Sequence, residues 1–273
     1  MLEDEESTSG FDYKTFLVKL LMYWPWIVGC VVIALVAAFF YLKTQAPLYT
    51  VSSSVLIKNN DNTKGGSNGA SLADLGFVTT STQNFDNELE ILKSRTLLKK
   101  VVTSLDLYID YTVPSRFRDT ELYKQSPVKV WVTPEEADQM GRAKVDLHFQ
   151  QHKLHQVTVY HGKQEWKKTI DTLPAVFSTP VGVFTFSLAD STQQESQTVP
   201  ELIQATITSP NWTAASFRDR LSVNANNKYT TIALLSVTES QVARGTDFLN
   251  KLVELYNEEG NNDKNEVAAK TAE

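Results

Sequence analysis

The sequence has one cysteine, Cys30, so neither a disulfide framework nor a multi-thiolate metal site can be built from it. Basic charge is short as well. With 26 Lys and Arg against 32 Asp and Glu, the net charge is −6, which argues against a nucleic-acid binder, because neutralising phosphates needs a concentrated basic face. Catalytic signatures are missing too. No Gly-x-Ser-x-Gly elbow, His-Glu-x-x-His pair or dinucleotide fingerprint is present, and Gly65-Gly66 and Gly69 are not followed by Gly-Lys-Ser/Thr. These absences point to a non-enzymatic chain without a cofactor. Long apolar runs are scarce, and there is a single one of membrane length.

That run is Ile27 to Leu42, without a charge and with Gly29 as its one member outside the apolar set. Counted from Pro25 it makes ~27 Å of helix at ~1.5 Å per residue, close to the ~30 Å of a bilayer core. A cleaved signal peptide calls for a short basic leader and a shorter core, whereas Glu3, Asp4, Glu5 and Glu6 lie upstream. A lipoprotein reading of Cys30 needs a polar tether after the cysteine, and the next twelve residues are apolar. The residues favour an uncleaved anchor over Trp24–Leu42. Trp24 and Trp26 mark one interface and Tyr41 the other, with Ile27, Leu35, Phe39 and Leu42 in the lipid. Lys14 and Lys19 before the span put the N-terminus, residues 1–23, in the cytoplasm. Residues 11–22 are an interfacial-helix candidate.

After Pro47 the hydrophobic period drops to two, giving a strand through Tyr49, Val51, Val55 and Ile57. Residues 59–83 read as a long polar loop. Asn84 reads as the N-cap of a helix to Leu105 with Phe85, Leu89, Leu92, Leu98, Val101 and Val102 on one face. Strands are expected at Leu107–Val113 and Val128–Val132, with a loop or short helix between them, and almost pure strand from Pro134 to Pro200. A strand at Leu202–Thr208, a helix at Asn211–Arg220 and a strand at Tyr229–Val237 follow. Thr238-Glu-Ser-Gln241 reads as a capping box opening a final helix that is still running at Glu273, which suggests that the sequence stops inside a helix. The fold class is α+β: one N-terminal transmembrane helix, a mixed domain over 48–133 and 201–273, a β-rich insert over 134–200, and a long C-terminal helix.

The four histidines His148, His152, His155 and His161 invite a metal reading. Strand parity sets His148 against His155 and His161 on opposite faces, which argues against it. Arg116, Arg118 and Asp119 read as surface.

Several segments together resemble one family. The anchor at Tyr23-Trp-Pro-Trp26 leads into Pro47-Leu-Tyr-Thr-Val-Ser-Ser-Ser-Val-Leu-Ile-Lys58. A helix then carries Asn87-Glu-Leu-Glu-Ile-Leu-Lys-Ser-Arg-Thr-Leu-Leu-Lys-Lys-Val-Val102, and Phe248-Leu-Asn-Lys-Leu-Val-Glu-Leu-Tyr-Asn257 stands near the end. Over about 20–133 and 201–273 the chain resembles the Wzz-like chain-length determinants, or polysaccharide co-polymerases, most closely the N-terminal part of their tyrosine-autokinase members. The resemblance implies an inner-membrane protein with a periplasmic α+β domain between two spans. Such proteins form homo-oligomeric rings and work with a polysaccharide polymerase or export machinery on capsular polysaccharide, exopolysaccharide or O-antigen; the glycan is itself a possible partner. The second span and the kinase motifs of that pattern are not in these 273 residues, so no catalytic residue carries over. The alternative is a single-anchored periplasmic ligand-binding or sensor domain.

Overall fold

The computed structural model describes residues 22–57, 79–116, 118–189, 199–227 and 230–272, with side chains described from residue 85 within 79–92 and to residue 262 at the C-terminal end. The expected interfacial helix (all but Met22 of it), residues 1–21 of the cytoplasmic segment and residues 59–78 of the expected polar loop lie outside the described residues; the rest of that loop, 79–83, is helical instead. The chain divides into two units, Met1–Ala46 and Pro47–Glu273.

The first unit contains helix α1, Trp24–Thr44. Pro25 is tolerated in its first turn, where N–H groups have no partner in any case. The 21 residues span ~31 Å at ~1.5 Å each. Among the described residues it is the one helix long and apolar enough to cross a membrane. None of its residues is buried.

Among its described residues the second unit has twelve strands, five further α-helices and one short 3-10 turn. Strand β1 (Tyr49–Leu56) forms the edge of a three-stranded antiparallel sheet, in the order β1-β12-β11, with β12 at Ile232–Glu239 and β11 at Leu221–Ala225. Its inner face carries Val51, Val55, Val223, Ala233, Leu235 and Val237. Helix α2 (Thr79–Leu92) and helix α3 (Arg95–Ser104) lie where one continuous helix was expected. Ser94 divides them: its extended backbone breaks the helix, and its hydroxyl accepts from Leu97 N at 3.3 Å, capping α3. Asn84 is therefore inside α2 rather than at its start.

A six-stranded sheet runs in the order β3-β2-β10-β5-β6-β7, and a small third sheet in the order β4-β9-β8. Their members are β2 (Ile109–Val113), β3 (Thr120–Glu121), β5 (Arg142–Gln150), β6 (Lys153–His161), β7 (Gln164–Thr169) and β10 (Leu202–Thr208) in the first, and β4 (Val128–Trp131), β8 (Ala175–Thr179) and β9 (Gly182–Leu188) in the second. The strands from 142 to 188 hydrogen-bond to β10 and β4 outside that stretch, and all three sheets share one core. Strand β11 falls where no strand was expected, between the expected helix ending at Arg220 and the expected strand from Tyr229.

Residues 134–200 are also not wholly β. Helix α4 occupies Pro134–Met140, opened by an N-cap: Thr133 Oγ1 accepts from Glu136 N at 3.3 Å and donates to Glu136 Oε2 at 2.9 Å. It ends at Gly141, whose φ of 73° suits glycine.

Helix α5 (Pro210–Arg220) and helix α6 (Val242–Ala272) complete the fold. The expected capping box at Thr238–Gln241 does not form, because Thr238 and Glu239 stay in β12. Ser240 and Gln241 instead donate to the Glu121 carboxylate and carbonyl. Gly245 lets α6 approach the sheet closely, since a Cβ there would sit 3.0 Å from Val51 Cγ2.

One carboxylate ties three helices together. Asp138 of α4 accepts from Lys99 Nζ of α3 at 2.7 Å, from Asn211 N and Nδ2 in the first turn of α5 at 3.0 and 2.7 Å, and from the Ser209 hydroxyl. Burial works against its charge, but these donors outweigh it and hold the carboxyl below its ordinary range. Its stabilising effect is therefore present at neutral pH and lost only as pH falls through that depressed value. Asp138→Ala is expected to cost about 2–3 kcal/mol in a denaturant titration at pH 7. A loss under ~0.5 kcal/mol would show that the hub is incidental.

Candidate functional site

The residues expected in the membrane all lie on α1. Trp24 and Trp26 stand in its first turn, Tyr41 and Leu42 in its last, and Ile27, Leu35 and Phe39 between them, every one exposed. In water this surface is unfavourable, since covering each such side chain is worth about 1.5–3 kcal/mol. At the helix end Lys43 lies 5.2 Å from the Phe39 ring centroid, its aliphatic stem running back along the apolar surface.

Among the described residues of the second unit a groove of about 560 Å³ runs beside β4. Strand β4 is an edge strand, and such an edge exposes unpaired N–H and C=O groups. Here hydroxyls cover it at alternate residues. Ser126 Oγ donates to Val128 O at 2.7 Å, Tyr111 Oη accepts from Val130 N at 2.8 Å, and Tyr108 Oη donates to Val132 O at 2.8 Å. Burial pushes both tyrosine hydroxyls well above their ordinary pKa, which keeps them protonated. The edge is thus closed to another strand, while the space beside it stays open.

Leu105, Ile109 and Val130 form the floor of the groove. Tyr111, Tyr123 and Trp131 supply aromatic surface, and Thr185 and Ser187 of β9 supply hydroxyls. Period two places Lys129 and Trp131 on the outer face of β4, opposite Ser187 and Thr185 in register. Trp131 is 49% exposed, although its neighbours Val130 and Val132 are buried.

The charges in the groove differ in how they are engaged. Tyr123 Oη and Lys124 Nζ both donate to Asp247 Oδ2 of α6, at 2.9 and 2.6 Å. Asp106, in a left-handed turn at φ 53°, has its carboxyl raised by burial, with Lys129 opposing the shift. Lys129 makes no ion pair within 4 Å among the described residues. The sequence did not mark the groove, because its residues come from segments as far apart as Leu105 and Ala189. The alternation Val128-Lys-Val-Trp131 was the available signal: a tryptophan and a lysine on the solvent face of a strand.

A second cluster is structural. Glu239 follows the alternation of β12 to its inward end, so its carboxylate is carried into the core, where it pairs with Arg220. Arg244 of α6, 8% exposed, binds Asp110 Oδ1 at 2.6 Å and donates to Leu107 O at 3.2 Å. Both guanidinium groups lie over the ring of Phe217, at 4.6 Å for Arg220 and 5.6 Å for Arg244, and Phe217 stacks on Phe248 with centroids 4.3 Å apart.

The histidines are dispersed. His148 and His161 are half-buried, with His161 Nε2 3.1 Å from Met140 O, while His155 is exposed. Parity had put His155 inward; a bulge opposite His148 and Phe149 takes up the extra residue and turns Leu154 inward instead. Among the described residues no three His, Cys, Asp or Glu side chains converge as metal ligands. Arg116, Arg118 and Asp119 are exposed.

Residues 10–105 match the family model of the chain length determinant protein, Wzz. A tyrosine-protein kinase, ptk, of Acinetobacter johnsonii is 30% identical over 107 residues, covering 39% of this chain and 14% of that protein.

Proposed function

We propose that this chain is part of a polysaccharide co-polymerase, a non-catalytic scaffold that helps to set the chain length, or drive the export, of capsular polysaccharide, exopolysaccharide or O-antigen. The match over residues 10–105 carries the reading, because it takes in the apolar helix, β1, α2 and α3 as one continuous block. In this reading α1 crosses the inner membrane with its N-terminal side in the cytoplasm, and the unit from Pro47 onward stands in the periplasm. Aromatic residues at both ends of α1 support a crossing helix, and Lys14 and Lys19 before it, against Lys43 after it, support that orientation. Copies assemble into a ring that works with a polymerase or export machinery, and a cytoplasmic tyrosine autokinase belongs to the longer protein, as the likeness to a kinase suggests.

Deletion of the gene is expected to change the amount or the modal length of the surface glycan, resolved by gel electrophoresis and size-exclusion chromatography. Complementation with the intact gene restores it. A glycan of unchanged quantity and length distribution would refute the proposal.

A further inference from the structure

We propose that the groove along β4 binds an acidic saccharide, with a sugar ring stacked on Trp131 and its carboxylate held by Lys129. The inference rests on the polysaccharide reading above and goes further by naming a site and a ligand class. Three observations carry it.

First, Trp131 is half-exposed on a strand whose neighbouring residues are buried, so a broad aromatic face is presented to solvent beside a cavity. An indole combines an apolar face with a polar edge, which suits a ligand with C–H faces and hydroxyl rims. Second, the cations near it are not equivalent. Lys124 is held by Asp247, whereas Lys129, two residues from Trp131 on the same face, has no carboxylate within 4 Å among the described residues, Asp106 being a more distant electrostatic neighbour. An ammonium beside an indole accommodates a ring bearing a negative charge. Third, the polar groups around the pair, Thr185, Ser187 and Asp106, can exchange hydrogen bonds with sugar hydroxyls. The volume falls within the ~300–1,000 Å³ of small-ligand clefts.

The position of the groove adds to this. The family match ends at residue 105, and apart from Leu105 every lining residue lies beyond it. The shared block therefore does not fix the groove, which gives this chain a place to read its own glycan.

The test uses the full chain in phosphatidylcholine nanodiscs, titrated calorimetrically with tetrasaccharides containing glucuronic or galacturonic acid. Their carboxyl-reduced neutral counterparts and tetra-L-glutamate serve as comparisons. Acidic tetrasaccharides are expected to bind about tenfold more tightly than the neutral ones. Trp131→Ala weakens binding of both kinds about tenfold or more, and Lys129→Gln removes the preference for the acidic probes. Trp212→Ala, at an exposed tryptophan elsewhere, changes neither. Equal thermal melts for wild type and variants show that folding is intact. Absence of binding by every acidic tetrasaccharide, indifference to Trp131→Ala, or equally tight binding of tetra-L-glutamate would each overturn the inference. A glycan altered by gene deletion, with no saccharide bound, leaves the co-polymerase reading standing and removes this one. Saccharide binding alongside an unaltered glycan does the reverse.

Discussion

Placing arginine at both Ile33 and Leu35 is expected to release the chain from the membrane fraction. The two positions lie near the middle of α1, and both side chains are exposed. An arginine at a helix centre costs about 2.5–3.5 kcal/mol on insertion scales, and each change also forfeits the favourable ~0.3–0.6 kcal/mol of the residue replaced. The sum, ~6 kcal/mol or more, exceeds what snorkelling recovers that far from either interface. Carbonate-washed membranes should retain wild type and lose most of the double variant. Ile33→Val with Leu35→Ile, which keeps the helix apolar, should behave as wild type. Retention of the arginine variant in washed membranes would mean that α1 is not the anchor.

Arg244→Met is expected to destabilise the second unit by about 2–3 kcal/mol, less than the loss of one partner from a fully buried pair, because Glu239 is buried but the side chain of Asp110 is 41% exposed. Methionine replaces much of the packing over Phe217 but none of the charge. Asp110 loses its cation, and Glu239 keeps only Arg220. Burial already raises both carboxyls. The Arg244 guanidinium is the strongest influence against that rise in each, and the Glu121 carboxylate adds to the rise in both. Without Arg244 both carboxyls rise further. An acid whose folded pKa is raised contributes stability below its unfolded value and loses it as pH rises through the folded one. The deficit of the variant should therefore be largest at pH 7–8 and smaller near pH 5. Asp110→Asn added to Arg244→Met should recover part of it. Denaturant midpoints at the two pH values decide the matter: a deficit that is independent of pH would make the loss one of packing rather than charge.

The same cluster shows why some elements were legible in sequence and others were not. In Val242–Ala272 the apolar stripe of Phe248, Leu249 and Leu252 announces a helix. Its start was misplaced because Thr238-Glu-Ser-Gln has the spacing of a capping box, and the pairing of Thr238 and Glu239 with Thr50 and Tyr49 took those residues for the sheet. A working N-cap of similar spacing stood at Thr133-Pro-Glu-Glu136 within a stretch dominated by strand alternation. Ser94 divided α2 from α3 for a similar reason: a cap acts over three residues, while the apolar period runs through it.

By itself the sequence determined α1, the strand at the start of the second unit, the final helix and the family resemblance. Each depends on residues close together in the chain, whose period or composition fixes the local structure. The tertiary structure alone decided the rest. It joined β4 to β2 through tyrosine hydroxyls, brought Asp138 to the first turn of α5, carried Glu239 inward to its arginines and set Lys129 and Trp131 beside Tyr111 and Tyr123. Those arrangements depend on sheet order, which is settled by packing between distant segments and leaves little local trace in the order of residues.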